Sequence, residues 1–349
     1  MTLQTLGFST FFEQQLQQTT WRPARITEQH KHMYRVCGED FEWLATVSGS
    51  YAFHTHHAID YPAIGDWVLV EQMPGEEKCA IHQLLTRKSV FTRKAAGREI
   101  EQQVVAANID IILLAMSLNE DFNVRRLERY VVAAWESGAV PMIVLTKADM
   151  CDDIPFYMQQ LTDVAMGIDC IVTSAITGEG IETLRQHVST GKTAAIIGSS
   201  GAGKSSLTNA LLGEETMKVA DIRADDAKGR HTTTHRALIQ LPNGACFIDT
   251  PGMRELHIWT EQESLNTGFD DIETFAASCR FRDCTHHQEP GCAVRQAIEN
   301  GQLEAARLRN YVKLQKEVAF IERKTKAQEQ LAAKRRLKKI SKQLKAHYR

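Results

Sequence analysis

The stretch that decides the fold is TAAIIGSSGAGKSSLTNALLG, Thr193 to Gly213. Its centre, Gly198-Ser199-Ser200-Gly201-Ala202-Gly203-Lys204-Ser205, has the spacing G-x-x-x-x-G-K-[ST]. The apolar AAII before it reads as a strand and SSLTNALLG after it as a helix, which is the setting this spacing requires. Gly201 and Gly203 let the backbone curl until successive N–H groups converge on phosphate oxygens, and the helix N-terminus adds its positive end. Lys204 can reach β and γ phosphates, and the Ser205 hydroxyl can hold Mg²⁺; Ser206 is counted with the nucleotide-binding residues. Average residue usage produces this spacing in about one chain per hundred of this length. The flanking strand and helix make an ordinary glycine-rich turn a poor account of it.

Two further motifs depend on that loop. Asp249-Thr250-Pro251-Gly252 follows the strand-like ACFI. An aspartate at the end of a neighbouring strand supplies a second Mg²⁺ contact, and the Gly252 N–H suits a γ-phosphate. Upstream, Thr146-Lys147-Ala148-Asp149 closes the strand-like PMIVL. A carboxylate there accepts two hydrogen bonds from guanine N1–H and N2–H₂, a donor pair adenine lacks. The aliphatic part of Lys147 can lie across the base. Ser174-Ala175, after CIVT, offers a backbone N–H to guanine O6. Thr146 stands where asparagine is usual.

Around these motifs, IDIILLAM, the helical NVRRLERYVVAAWESG ending at Gly138, DIPFYMQQL, CIVTS and IETLRQHV alternate strand with helix. The alternation predicts a mostly parallel sheet covered on both faces. From Arg22 to Arg93 the rhythm is different. PARITEQ, MYRVCG, FEWLATVSG, DWVLVEQ and AIHQLL are short strand-like runs punctuated by glycine and proline. They predict a small β-barrel of the OB-fold type. Trp21, Phe41, Trp43 and Trp67, with Arg22 and Arg25, are candidates to stack on and neutralise RNA, Trp67 reading better as core. His54, His56 and His57 read as a polar loop cluster rather than a metal site.

The chain has 349 residues, 43% hydrophobic and 24% charged, which excludes a disordered polymer, a collagen-like fibre and a disulfide miniprotein. The longest strongly apolar stretch, Ile109 to Met116, has strand length, well under the roughly 20 residues of a membrane-spanning helix. The N-terminal MTLQTLGFSTFFEQQ reads without a signal peptide, so a cytoplasmic protein with no membrane partner is expected. The net charge of −2 hides an asymmetry. From Gln302 to Arg349 there are 15 Lys/Arg against 4 Asp/Glu, and from Lys334 onward 8 basic residues and no acid. A basic tail on an acidic body suits a polyanion, most often nucleic acid. Tyr311, Leu314, Val318 and Ile321 recur at helical spacing just before it.

Of the eight cysteines, three cluster as Cys279-x4-Cys284 and Cys292, with His286 and His287 between them. Three thiolates and an imidazole within this span suit a tetrahedral Zn²⁺, and a full set of four leaves no open position for catalysis. The site therefore reads as structural.

The order of the nucleotide motifs is unusual: TKAD and Ser-Ala precede the phosphate loop, and DTPG comes last. In that order the chain resembles the circularly permuted GTPases. With DTPGMRE, GRHTTTHR and the cysteine cluster, it resembles the RsgA (YjeQ) family of ribosome small-subunit-dependent GTPases over nearly its whole length. The resemblance implies an OB-fold barrel at 1–95 that binds RNA, a circularly permuted α/β P-loop GTPase domain at 96–260 and an α-helical zinc-binding domain at 261–349. It favours His286 over His287 through the family pattern C-x4-C-x-H-x5-C. It implies a monomer that hydrolyses GTP to GDP and phosphate, stimulated by the small ribosomal subunit and its rRNA, in late assembly of that subunit. By analogy with other GTPases, Thr233 is the switch threonine for Mg²⁺, Thr232 and Thr234 being alternatives. Met253 replaces the water-positioning glutamine, and the resemblance offers His231 as the substitute. The permutation joins the old termini through Thr190 to Thr193.

Overall fold

The computed structural model describes residues 2–16, 20–30, 33–55, 57–94, 102–162, 164–165, 167–213, 237–249, 268–320 and 323. The chain divides into two compact units, Met1–Arg93 with Gln102–Ile258, and Lys94–Glu101 with Trp259–Arg349.

In the first unit, β1 (Arg22–Gln29), β2 (Tyr34–Gly38), β3 (Phe41–Val47), β4 (Trp67–Gln72) and β5 (Lys78–Leu84) lie where the short apolar runs predict strands. β1 pairs antiparallel with both β2 and β4, β3 runs parallel to β5, and β4 is antiparallel to β5. The five strands close in the order β1-β2-β3-β5-β4, an OB-fold barrel. Alternate residues fill it: Ala24 and Ile26, Tyr34 and Val36, Trp43 and Ala45, Val68 and Val70, Cys79 and Ile81. A four-residue helix, α1 (Thr10–Glu13), precedes the barrel. A second short helix, α2 (Gly49–His54), occupies what the sequence reads as loop; Ser48 Oγ accepts from Tyr51 N and starts it. His54 ends α2, its Nδ1 facing Ser50 O at 2.8 Å, and His56 lies outside the described residues.

Trp67 is core, buried against Phe8 and Phe12 with ring centroids 4.7 and 5.9 Å away. Phe41 stacks on Trp43 at 4.0 Å with the Arg22 guanidinium 4.3 Å above the Phe41 ring, and Trp21 stacks on His82 at 4.5 Å. Arg25 corrects the RNA-facing expectation. It is buried, donating to the carbonyl oxygens of Leu6, Gly65 and Asn108, and burial pulls its pKa below the ordinary guanidinium value. No nucleic acid can reach it there. After the barrel in the chain, β6 (Val90–Lys94) pairs with β7 (Gln102–Ala107), two strands the sequence reading does not name.

The alternating region supplies β8 (Ile111–Ser117), α3 (Val124–Glu136), β9 (Val140–Thr146), α4 (Ile154–Gln160), β10 (Cys170–Val172), α5 (Ile181–His187), β11 (Thr193–Gly198), α6 (Lys204–Leu212), β12 (Ala237–Gln240) and β13 (Cys246–Asp249). The strand order is β10-β9-β8-β11-β13-β12; the first four neighbouring pairs are parallel and β12 is antiparallel to β13. β11 lies between β8 and β13 although β9 and β10 intervene in the chain, which is the permutation seen as topology.

β8 shows why the strands read as unbroken apolar runs. Ile112, Leu114 and Met116 pack with Leu127, Tyr130 and Val131 of α3 on one face. Leu113 and Ala115 pack with Leu184 of α5 and Leu207 and Leu211 of α6 on the other. A strand covered on both sides has no solvent face to keep polar. At the permutation joint, Thr190 Oγ1 donates to Asn243 O, and Asn243 Nδ2 donates to Arg185 O and Val188 O at 3.1 and 2.8 Å. The β12–β13 turn thus closes the end of α5, and a short link suffices. β1 also meets β12 at Glu28 and Ala237, so barrel and GTPase strands form one eleven-stranded sheet.

The second unit holds α7 (Asp270–Ala276), α8 (Ala293–Glu299) and α9 over 305–320. Phe269, Ile272, Val294, Ala297, Leu308, Tyr311, Leu314 and Val318 are buried, while Ile321 lies outside the described residues. Arg307 grips Asp271 with two hydrogen bonds of 2.7 and 2.8 Å and covers the Phe269 ring at 4.7 Å.

Candidate nucleotide site and metal centre

The phosphate loop leaves β11 at its carboxyl end and enters α6. At Gly198 the chain passes so close to β8 that a Cβ would stand 2.5 Å from Ala115 O. Gly203, in the left-handed region at φ 80°, starts α6, and a side chain there would meet Thr146 Oγ1 at 3.3 Å. Ser199 and Ala202 are buried, while Ser200 and Gly201 are exposed. Lys204 Nζ donates to Gly198 O at 2.8 Å and Ser199 O at 2.6 Å, folded along the loop it serves. Ser205 and Ser206 follow in the first turn of α6.

The guanine motif meets this loop directly. Thr146, in place of the usual asparagine, donates from Oγ1 to Ala202 O at 2.7 Å. Its hydroxyl therefore supplies the bridge between β9 and the phosphate loop. Lys147 has φ 62° and turns the chain at once, so that Asp149 faces Ser174. Ser174 Oγ donates to Asp149 Oδ1 at 2.5 Å and accepts from Ile176 N and Thr177 N at 3.2 and 3.1 Å. One carboxylate oxygen is thereby held and the other remains for a base. Thr146, Lys147, Asp149, Ala175, Gly203 and Ser206 line a cleft of about 180 Å³. Met150, Thr173, Ile176 and Leu207 complete it. The sequence reading does not name these four; each adjoins a motif residue, which is the only signal they carry.

Asp249 ends β13, the strand beside β11, and only its backbone is described. Gly252, His231, Thr233 and its alternatives Thr232 and Thr234, and Met253 lie outside the described residues.

In the second unit, the ligand atoms of Cys279, Cys284, His286 and Cys292 lie within 4.8 Å of one another. Cys279 Sγ is 3.9 Å from Cys292 Sγ, and His286 Nδ1 is 3.7 and 3.5 Å from those two sulfurs. A Zn²⁺ tetrahedron with bonds of about 2.3 Å to sulfur has S···S edges of about 3.8 Å. The four donors fit that ion. Among the described residues they are the only such group, and the member histidine is His286.

The knuckle also tunes its ligands. Desolvation raises the Cys279 thiol, but the N–H groups of Val294 and Ala293 at the start of α8 together with the Cys284 and Cys292 thiols outweigh it, so its pKa falls below the ordinary value. Desolvation holds His286 below the ordinary imidazole value, in the neutral form a metal takes. Desolvation and the neighbouring thiols Cys292 and Cys279 push Cys284 up to about 11. Glu289, absent from the sequence reading, folds the turn. Its carboxylate accepts from Thr285 N, His287 N and Gln288 N at 2.9, 2.9 and 3.0 Å and from Thr285 Oγ1.

Residues 84–259 match the family described as RsgA GTPase, and residues 193–336 match one described as 50S ribosome-binding GTPase. A protein of Lactiplantibacillus plantarum named small ribosomal subunit biogenesis GTPase RsgA 2 is 47% identical over 85% of this chain and 83% of its own. One of the same name from Listeria monocytogenes is 43% identical over 100% of this chain and 99% of its own. Among solved structures, YjeQ from Thermotoga maritima aligns with TM-score 0.64 and 28% identity, covering 86% of this chain and 99% of that one. YloQ, described as a circularly permuted GTPase, aligns with TM-score 0.60 and 25% identity, covering 86% and 95%.

Proposed function

The chain belongs to the RsgA GTPase family, and from that premise we propose that it hydrolyses GTP under stimulation by the small ribosomal subunit, in late maturation of that subunit. The observation that carries the reading is the meeting of two motifs distant in sequence. Thr146 of the guanine motif bonds Ala202 of the phosphate loop, and both motifs face one cleft. Asp149 takes the guanine N1–H and N2–H₂, Ala175 N–H meets O6, and Lys147 covers the base. The amides of Gly198 to Ser206 and the Lys204 ammonium hold the phosphates and stabilise the charge that grows as water attacks the γ-phosphate in line. Ser205, Asp249 and Thr233 would hold Mg²⁺, which would supply charge to neutralise the phosphates. Gly252 meets the γ-phosphate, and His231 stands in for the missing glutamine. Zn²⁺ on Cys279, Cys284, His286 and Cys292 holds the second unit's knuckle.

We assign 1–95 to the barrel, 96–260 to the GTPase domain and 261–349 to the zinc-binding domain. The barrel, through Arg22, Phe41 and Trp21 rather than Arg25, and the basic segment from Lys334 to Arg349 bind rRNA. Among the described residues no helix is long and apolar enough to cross a membrane; the protein acts in the cytoplasm as a monomer. The test is GTP turnover with purified small subunits, with large subunits and with neither. Stimulation by small subunits alone is expected. Equal turnover in all three would leave a nucleotide-gated RNA binder whose hydrolysis is incidental.

A further inference from the structure

The phosphate loop is tied at a second point that its motif does not require. Ser199 Oγ donates to Asp121 Oδ2 at 2.5 Å. Asp121 lies in the segment between β8 and α3, and the same carboxylate oxygen receives Arg126 Nη2 at 2.9 Å. Arg126 stands in the first turn of α3; its Nη2 also donates to Asp121 O and sits 3.7 Å from Met116 Sδ at the end of β8. The segment cannot drift, because Asn119 Oδ1 accepts from both Ser117 Oγ and Asp121 N, at 2.8 and 3.1 Å. Asn123 Oδ1 accepts from Arg126 N at 2.9 Å and fixes the start of α3. The loop is therefore held at two points from one side of β11: at Ala202 by Thr146, the last residue of β9, and at Ser199 by Asp121, in the segment after β8.

A carboxylate is a strange anchor beside a site for a polyanion. Alone it would repel the nucleotide, and because the Asp121 side chain is 41% exposed the repulsion would be strongest at low salt. Arg126 resolves this. It cancels the charge while leaving the carboxylate oxygen as a strong acceptor for Ser199. We propose that Asp121 and Arg126 form a charge-compensated latch that preorganises the phosphate loop through Ser199, with both acting as positioning residues for guanine nucleotide binding. The inference rests on the reading of this cleft as the GTP site. Removing the cation leaves an uncompensated negative charge at the loop, whereas removing the carboxylate charge leaves an acceptor and no net repulsion. The two members of one ion pair therefore have unequal effects on anion binding.

The test measures dissociation constants and release rates of a fluorescent GDP analogue on the full chain, at low and moderate salt. Arg126→Gln is expected to weaken binding on the order of tenfold, more at low salt. Asp121→Asn should change it by less than Arg126→Gln. The double variant Asp121→Asn with Arg126→Gln should bind more tightly than Arg126→Gln alone, because the lone charge is gone. Arg126→Lys should restore most of the affinity. Ser199→Ala should speed release, and adding Asp121→Asn to it should speed it little further. A purely structural role for Arg126 predicts the opposite sign: the double variant no better than the single, with no salt dependence. That result, or Ser199→Ala with wild-type release, overturns the latch. Should Arg126→Gln fail to fold, the Ser199 and Asp121 pair decides alone. Failure of the site reading looks different, since Lys204→Ala would then bind the analogue as wild type does.

Discussion

The phosphate loop and the cysteine knuckle are both tight turns that end at a helix start, Gly203 before α6 and Cys292 before α8. They take their shape from opposite sources. The phosphate loop is braced by its neighbours, through Thr146 and Asp121, over a sheet whose two faces are packed, so its form exists before any ligand arrives. Among the described residues 268–320 and 323 of the second unit, the knuckle is accompanied by helices and turns. It rests on Glu289 within its own turn and on four side chains whose donor atoms converge as a metal site would require. One site spends structure to hold a ligand; the other uses a ligand to hold structure.

The largest expected effect tests that contrast. Chelation, or Cys292→Ser, should remove about one zinc per chain. Structural zinc contributes binding energy on the order of 10 kcal/mol, so the second unit should lose hydrogen-exchange protection over 268–320 while the first unit still binds GDP. Metal-free protein with protection intact over those residues would erase the distinction. Next in size, Lys204→Ala should lower turnover by about 10²- to 10³-fold, as loss of one charge-stabilising donor does, with zinc content and melting of the sheet unchanged. Normal turnover in that variant would misplace the phosphate site.

A smaller loss is expected from Asp149→Asn. Hydrogen bonds to a charged partner are worth about 1.5–3 kcal/mol, so GTP affinity should fall tenfold or more and xanthosine nucleotides should gain. An unchanged preference for GTP over ATP would remove TKAD from base recognition. Smallest, Glu289→Gln should weaken zinc binding by about 10- to 100-fold, the usual range for groups that orient metal ligands, and leave GDP binding alone. Zinc affinity equal to wild type would mean the four cysteine and histidine ligands shape the knuckle unaided.

The same contrast explains what could be read from the chain. Both ligand sets sit within short spans, Gly198 to Ser205 and Cys279 to Cys292, so spacing alone exposes their chemistry. The parallel sheet was legible from its apolar runs, and the barrel from its alternating ones. The braces were not. Thr146 to Ala202 spans 56 residues, Ser199 to Asp121 spans 78, and no local pattern encodes either. Arg25 read as a surface cation because its three acceptors are backbone carbonyls, which the sequence does not distinguish. The four-residue β12 is too short for a periodic signal, and α2 arises from Ser48 capping a six-residue turn of helix rather than from any amphipathic face.

Arg25 has a further consequence, for anyone recombining such proteins. Its guanidinium joins the N-terminal segment at Leu6, the barrel at Gly65 and the entry to β8 at Asn108. Asn108 returns a hydrogen bond to Gly65 O at 3.1 Å and holds Lys88 N at 2.8 Å. With β1 paired to β12 beside it, the seam is sewn from both directions. The barrel is therefore not a cassette. A chimera that keeps this GTPase but takes residues 1–95 from another protein keeps the Asn108 carbonyl and loses the cation that bonds it, unless the incoming barrel places an arginine where Arg25 stands.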